Sequence, residues 1–130
     1  MSEILVPVSP GEVLDKLTIL RIKAARIGDP AKLANVRREL ELLERTWAAS
    51  PYAAHDVAAD TAALQAVNER LWTVEDQLRE MERARRFDAG FIELARAVYV
   101  ENDRRAAIKR RINTALGSTI VEEKSYAAYR

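Results

Sequence analysis

The stretch Leu64-Gln65-Ala66-Val67-Asn68-Glu69-Arg70-Leu71-Trp72-Thr73-Val74-Glu75-Asp76-Gln77-Leu78-Arg79-Glu80-Met81 decides the fold. Its apolar residues Leu64, Val67, Leu71, Val74, Leu78 and Met81 are spaced 3, 4, 3, 4 and 3 apart. At 3.6 residues per turn these positions fall on one stripe, the a/d seam of a helix packed lengthwise against other helices. The seam predicts a helix running to about Arg85, with Leu71, Val74 and Leu78 buried. Arg83, Arg85 and Arg86 stand where positive charge suits a helix C-terminus.

Upstream, Glu3 to Val8 is β-branched and extended, and Pro7 confines it to an edge strand or a non-strand segment. Ser9-Pro10-Gly11-Glu12 reads as a capping box that starts the first helix, with stripe Val13, Leu17, Leu20, Ala24 and Ile27 and a stop at Gly28. Asp29-Pro30 starts the next helix at once, with stripe Leu33, Val36, Leu40, Leu43 and Trp47. So tight a turn predicts an antiparallel hairpin. Ser50-Pro51 breaks the second helix, and the alanine-rich stretch from Tyr52 to Ala59 reads as loop, short helix or the start of the third helix, with Asp56 and Asp60 as candidate caps. Downstream, Asp88 caps the fourth helix, Phe87 and Ile92 form a hydrophobic staple, and Gly117 ends the helix near Leu116. The β-branched Thr119-Ile120-Val121 either pairs with residues 4–8 as a ribbon or crosses a helix surface. The expected fold is all-α: one domain over residues 1–130, an antiparallel bundle of about four helices with short extended N- and C-terminal segments.

Composition agrees. Apolar residues make up 48 %, aromatic residues only 6 % and charged residues 32 %, the profile of a helical bundle. The net charge of +1 argues neither for nor against a polyanionic partner. The absence of cysteine removes disulfides and thiol chemistry and fits a reducing compartment. No apolar run is long enough to span a bilayer, and no basic segment precedes an apolar leader. A soluble cytoplasmic protein without membrane contact is expected.

Polar chemistry concentrates in the fourth helix. Its apolar stripe, Phe91, Leu94 or Ala95 and Val98, resumes at Ile108, Ile112 and Leu116, and between them the seam reads Asn102 and Arg105. Polar groups on a core-facing stripe need partners. Asn68, Glu69, Glu75 and Asp76 flank the third helix's seam, and Asp15 and Lys16 lie in the first helix's second turn. Asp15, Lys16, Glu75, Asp76, Asn102, Arg105 and Lys109 therefore form the candidate polar or ligand site, read either as a satisfied network that fixes helix register or as a pocket between helices. The Arg105 stem is expected to be largely buried, with Glu75, Asp76 or Asp15 as its carboxylate. If that pair is structural, Arg105→Met is expected to be tolerated better than loss of the carboxylate.

The basic cluster Arg104, Arg105, Lys109, Arg110 and Arg111 is matched by acids such as Glu39, Glu41 and Glu44 and has no interleaved aromatic residues, so a nucleic-acid partner is not expected. His55 is the only histidine and reads as solvated. With no cysteine and no Glu-x-x-His pair, no metal and no cofactor are expected, and no catalytic residue is assigned. No phosphate loop, dinucleotide fingerprint or nucleophile elbow occurs. Trp47 reads as core, and Trp72 and Tyr99 lie beside the third and fourth seams.

These polar segments also carry a resemblance. Ser9-Pro10-Gly11-Glu12 with Asp15-Lys16, Leu33 to Leu40, Asn68-Glu69-Arg70-Leu71-Trp72, Phe91 to Tyr99, Asn102-Asp103-Arg104-Arg105 and Glu122-Glu123-Lys124-Ser125-Tyr126 resemble a family of short, uncharacterised bacterial helical proteins, across nearly the whole chain. The resemblance implies no activity and carries no catalytic residue over. A second likeness, to all-helical chorismate mutases, is of composition and architecture only: Lys16, Arg37, Arg38, Arg105, Lys109 and Glu75 would suit a dicarboxylate, but no motif matches.

Two function classes follow. One is a non-enzymatic helical assembly or protein-interaction module, a homo-oligomer and most simply a dimer, with a protein partner open to it. The alternative is a sensor or mutase-like bundle that binds a small anionic metabolite between the first, third and fourth helices. Burial separates them: internal pairing of Asn102 and Arg105 favours assembly, and unpaired donors in an open pocket favour a ligand.

Overall fold

The computed structural model describes residues 2–129. Among them four helices carry the fold, α1 (Pro10–Arg26), α2 (Pro30–Ala48), α3 (Ala58–Arg83) and α4 (Ala89–Ala115), and no strand occurs. The helix ends follow local chemistry. Ser9 Oγ accepts from the Glu12 N–H at 3.2 Å, and Asp88 Oδ1 accepts from the Phe91 N–H at 3.2 Å. Asp56 Oδ1 accepts from the Ala58 N–H at 3.1 Å at the entry to α3, while Asp60 lies inside its first turn. The first helix ends at Arg26, with Ile27 extended; the stop does not use left-handed backbone at Gly28.

The two long helices end alike. At α4, Gly117 (φ 68°) lets Ser118 N–H reach Asn113 O at 2.9 Å and Gly117 N–H reach Thr114 O at 3.2 Å, the paired bonds of a Schellman motif. At α3 the same bonds form, Arg86 N–H to Met81 O and Arg85 N–H to Glu82 O, but the left-handed position (φ 55°) is held by Arg85. The arginine run therefore ends α3 through backbone geometry as well as charge.

The α1 helix is the hub. It packs against each of the other three helices, α3 packs most extensively on α4, and the backbone of α2 comes close to α1 alone. The core joins Leu14 and Leu17 of α1, Leu64 and Val67 of α3, and Ile108 and Ile112 of α4. Leu40, Leu43 and Trp47 of α2 pack against this core from outside, and only Val36 of that helix is fully buried. A helix covered on two sides needs two apolar stripes. In α1, Leu17 and Leu20 of the expected stripe are buried, and so are Leu14, Thr18 and Ile22 around the other side.

Gly11 sits where α1 meets α4. Its N–H donates to Asn113 Oδ1 at 2.7 Å, and a Cβ there would lie 2.8 Å from both Asn113 Oδ1 and the Lys109 carbonyl. The glycine is the condition for this close approach, which anchors the start of α1 to the end of α4.

Two expectations need correction. Leu71, Val74 and Leu78 are half-buried, because α1 ends near Trp72, where Arg26 lies 5.9 Å from the indole centroid, and no third helix covers the α3–α4 hairpin beyond it. Phe87 and Ile92 do not form a covered staple: they are 53 % and 57 % exposed, and Phe87 meets Phe91 edge-to-face at 5.2 Å. Of the two paths left open for the segment 119–121, the ribbon with residues 4–8 does not form, and the chain after Gly117 crosses the surface of α4.

Candidate functional site

The polar cluster forms around Asp15, a carboxylate with no solvent exposure in the second turn of α1. Arg105 of α4 grips it sideways: Nε lies 2.9 Å from Oδ1 and 3.1 Å from Oδ2, and Nη2 also bonds Oδ2. Asn68 of α3 donates to Asp15 Oδ1 at 2.9 Å and to Thr18 Oγ1 at 3.0 Å, and Thr18 donates to the Asp15 carbonyl at 2.8 Å. One carboxylate thus ties three helices together, and its charge is met by a planar guanidinium fork. Hydrogen bonding to Asp15 holds the Arg105 pKa above its usual value against the opposing effect of burial.

Lys109 lies one turn further along α4. Its Nζ donates to Glu12 at 2.6 Å, stands 3.9 Å from Asp15 Oδ2 and reaches Glu122 at 3.0 Å. Burial works against both charged forms, yet the pair stays ionised. The Lys109 ammonium holds the Glu12 carboxyl below its usual range, and Glu12 and Glu122 raise the Lys109 pKa. The capping-box glutamate is therefore spent on Lys109.

Of the candidate residues, Asp15, Arg105 and Lys109 meet directly. Lys16 points outward and stands 3.9 Å from Glu12. Glu75 and Asp76 do not pair with Arg105; Glu75 faces Arg79 at 3.8 Å. With Asn102, Arg105 and Trp72 they line a recess of about 460 Å³ at the end of α1. Arg37 and Arg38, invoked for a dicarboxylate, lie exposed on α2, whose backbone approaches neither α3 nor α4, so that inventory is not assembled.

The α4 stripe also shifts by one residue. Leu94, Val98, Glu101, Arg105, Ile108 and Ile112 run 4, 3, 4, 3 and 4 apart, so Glu101 faces inward and Asn102 sits at the edge. Buried Glu101 accepts from Arg70 Nε of α3 at 3.1 Å and from Arg104 at 2.7 Å. Nothing in sequence separates steps of 3 and 4 after Val98, since both Glu101 and Asn102 are polar. Thr18 and Asn113 are the other buried polar participants that spacing does not single out. Each lies a turn or less from a seam position, and the second buried face of α1 brings Thr18 into the cluster.

Among the described residues no group of histidine, cysteine or carboxylate side chains is placed to hold a metal, and no helix is long and apolar enough to cross a membrane. The profile of a family of unknown function, DUF6165, matches residues 4–129, from the N-terminal extended segment through all four helices to the tail. The chain belongs to this family. No curated protein and no solved structure matches it. The segments around Asp15, Asn68, Arg105 and Glu122 thus fall within the DUF6165 match, and the resemblance read from them is to this family.

Proposed function

We propose that this chain is a non-enzymatic helical assembly module that pairs with a second copy through the free end of its α3–α4 hairpin. The observation that carries the reading is a covered core giving way to an uncovered seam. From Glu69 to Val100 no residue is fully buried, although Leu71, Val74, Leu78 and Met81 on α3 and Leu94 and Val98 on α4 continue the apolar pattern. From Trp72 to Arg83 the uncovered part of α3 is about 17 Å long at 1.5 Å per residue. The second copy fits because the seam is self-complementary. In a two-fold antiparallel pairing the exposed Phe87 and Ile92 of one tip meet the other copy's recess beside Leu71, Trp72, Ile19 and Ile22. The polar cluster supports a structural role, since Arg105 and Lys109 are both engaged by carboxylates of the chain itself.

Light scattering at tens of micromolar is expected to give twice the 14.7 kDa chain mass. Leu78→Glu, or Ile92→Glu at the exposed tip, is expected to give a folded monomer. A wild-type monomer at that concentration would overturn the reading.

One observation favours a second reading. Asn102 and Arg105 line the recess at the end of α1, where a small anionic metabolite could be bound. The neighbouring Asp15, Glu75 and Asp76 oppose an anion there. A thermal-shift screen of carboxylates and phosphates distinguishes the two: a shift abolished by Asn102→Leu supports the metabolite site.

A further inference from the structure

The chain after Gly117 does more than end the fold. It turns back and lies along α4 with its charged side chains set against opposite charges on the helix. Glu122 meets Lys109 at 3.0 Å, Glu123 meets Arg110 at 3.0 Å and Lys124 meets Asp103 at 2.6 Å. Arg110 also donates to the Glu122 carbonyl at 3.2 Å, Tyr129 donates to Asp103 at 2.7 Å, and its ring stacks at a tilt on Tyr99 at 4.9 Å. The tail thus reads acid, acid, base, aromatic. The face of α4, taken from Arg110 back to Tyr99, offers base, base, acid, aromatic.

Two features mark this face as a place where an extended peptide docks. The match is one of side-chain charge order along an irregular segment. The fit is also incomplete: a recess of about 640 Å³ stays open between tail and helix, lined by Ala106, Ala107, Arg110, Asn113, Val121 and Glu122. Most of the anchoring groups are exposed ion pairs, individually weak in water and screened by salt. They hold chiefly because the tether keeps the tail at a high effective concentration.

We propose that the α4 face from Tyr99 to Arg110 is a docking site for an extended acidic segment of a partner protein, two adjacent carboxylates followed by a cation and an aromatic residue, and that residues 118–129 occupy it as a reversible stand-in. The partner's carboxylates replace Glu122 and Glu123 on Lys109 and Arg110, and its aromatic residue replaces Tyr129 on Tyr99. This does not depend on the hairpin pairing, which rests on the uncovered seam of α3 and the first turns of α4.

The test uses full-length protein and a fluorescent synthetic peptide with the sequence of residues 118–129. Glu122→Gln with Glu123→Gln removes the tail's carboxylates, and circular dichroism checks that the fold is kept. The peptide is expected to bind this variant on the order of tenfold more tightly than the wild type, because the tethered competitor is gone. Adding Arg110→Glu is expected to return binding to the wild-type level, and added salt to weaken it. A peptide carrying glutamine at both acidic positions is expected not to bind. Equal binding to wild type and variant would show that the tail is no competitor. Tight binding indifferent to Arg110→Glu would place the peptide elsewhere. Either result overturns the proposal.

Discussion

The α3–α4 hairpin has two halves that read alike in sequence and differ in the structure. At the root, Leu64 and Val67 face Ile108 and Ile112 and are buried under α1. At the tip, Leu71, Val74 and Leu78 repeat the same spacing and stay half-exposed. The heptad pattern specifies which side of a helix is apolar; whether that side is covered depends on the length and position of a third helix. Here α1 ends level with Trp72, and coverage ends with it. The root also holds the buried charges, Asp15 with Arg105 and Glu101 with Arg70, while the tip carries only exposed pairs such as Arg83 with Glu80.

The largest expected effect lies at the centre of the root. Leu64→Ala removes a side chain with no exposure and should cost about 3–5 kcal/mol in urea denaturation. Leu78→Ala, measured at low protein concentration, should cost about 1 kcal/mol, since its site already touches water. Equal costs would erase the distinction between root and tip.

The buried ion pair comes next. Asp15 is inaccessible, whereas the Arg105 side chain is 30 % exposed. Arg105→Met strands a buried carboxylate and should cost about 3 kcal/mol. Asp15→Asn keeps the Asn68 contact possible and leaves an arginine that can turn to solvent, so it should cost less. This reverses the order expected from sequence, because the asymmetry of burial within the pair cannot be read from spacing. A double variant Asp15→Leu with Arg105→Met should recover much of the loss. A variant Arg105→Met as stable as wild type would show that the pair does not hold the root together.

Acid probes the root more gently. The folded Glu12 carboxyl sits below its unfolded value, so its contribution is complete above about pH 4.3 and is lost as pH falls through the lowered folded value. Lys109 is raised, so its contribution is complete below about pH 10.4 and is lost as pH rises through the raised value. At the tip, Asp88 is lowered chiefly by the Phe91 N–H it caps, which makes the start of α4 prone to fray in acid. Thermal midpoints from pH 3 to 7 should fall less steeply for Glu12→Gln than for wild type. Parallel curves would remove Glu12 from the acid response.

Much of this was legible. Ser9, Asp88 and Gly117 marked helix ends through chemistry that is local in sequence, and the hairpin at Gly28-Asp29-Pro30 follows from a stop beside a start. Asp15, Arg105 and Lys109 stood out as charges on or beside helical seams. The rest depended on tertiary context. The position of α1 as hub gave it a second buried face with Thr18, the step of 3 after Val98 chose Glu101 over Asn102, and the tail's path along α4 needed the charges of both partners at once.

The central claim is that the tip seam is completed by a second copy, and hydrogen exchange at two protein concentrations tests it most directly. Between roughly 1 and 100 µM, mass action should slow exchange of the amides in residues 71–83 and 89–98 and leave those of residues 11–17 and 108–113 unchanged. Exchange at the tip that is the same at both concentrations, with the root protected throughout, would contradict the account and leave the half-buried seam as the end state of a monomer.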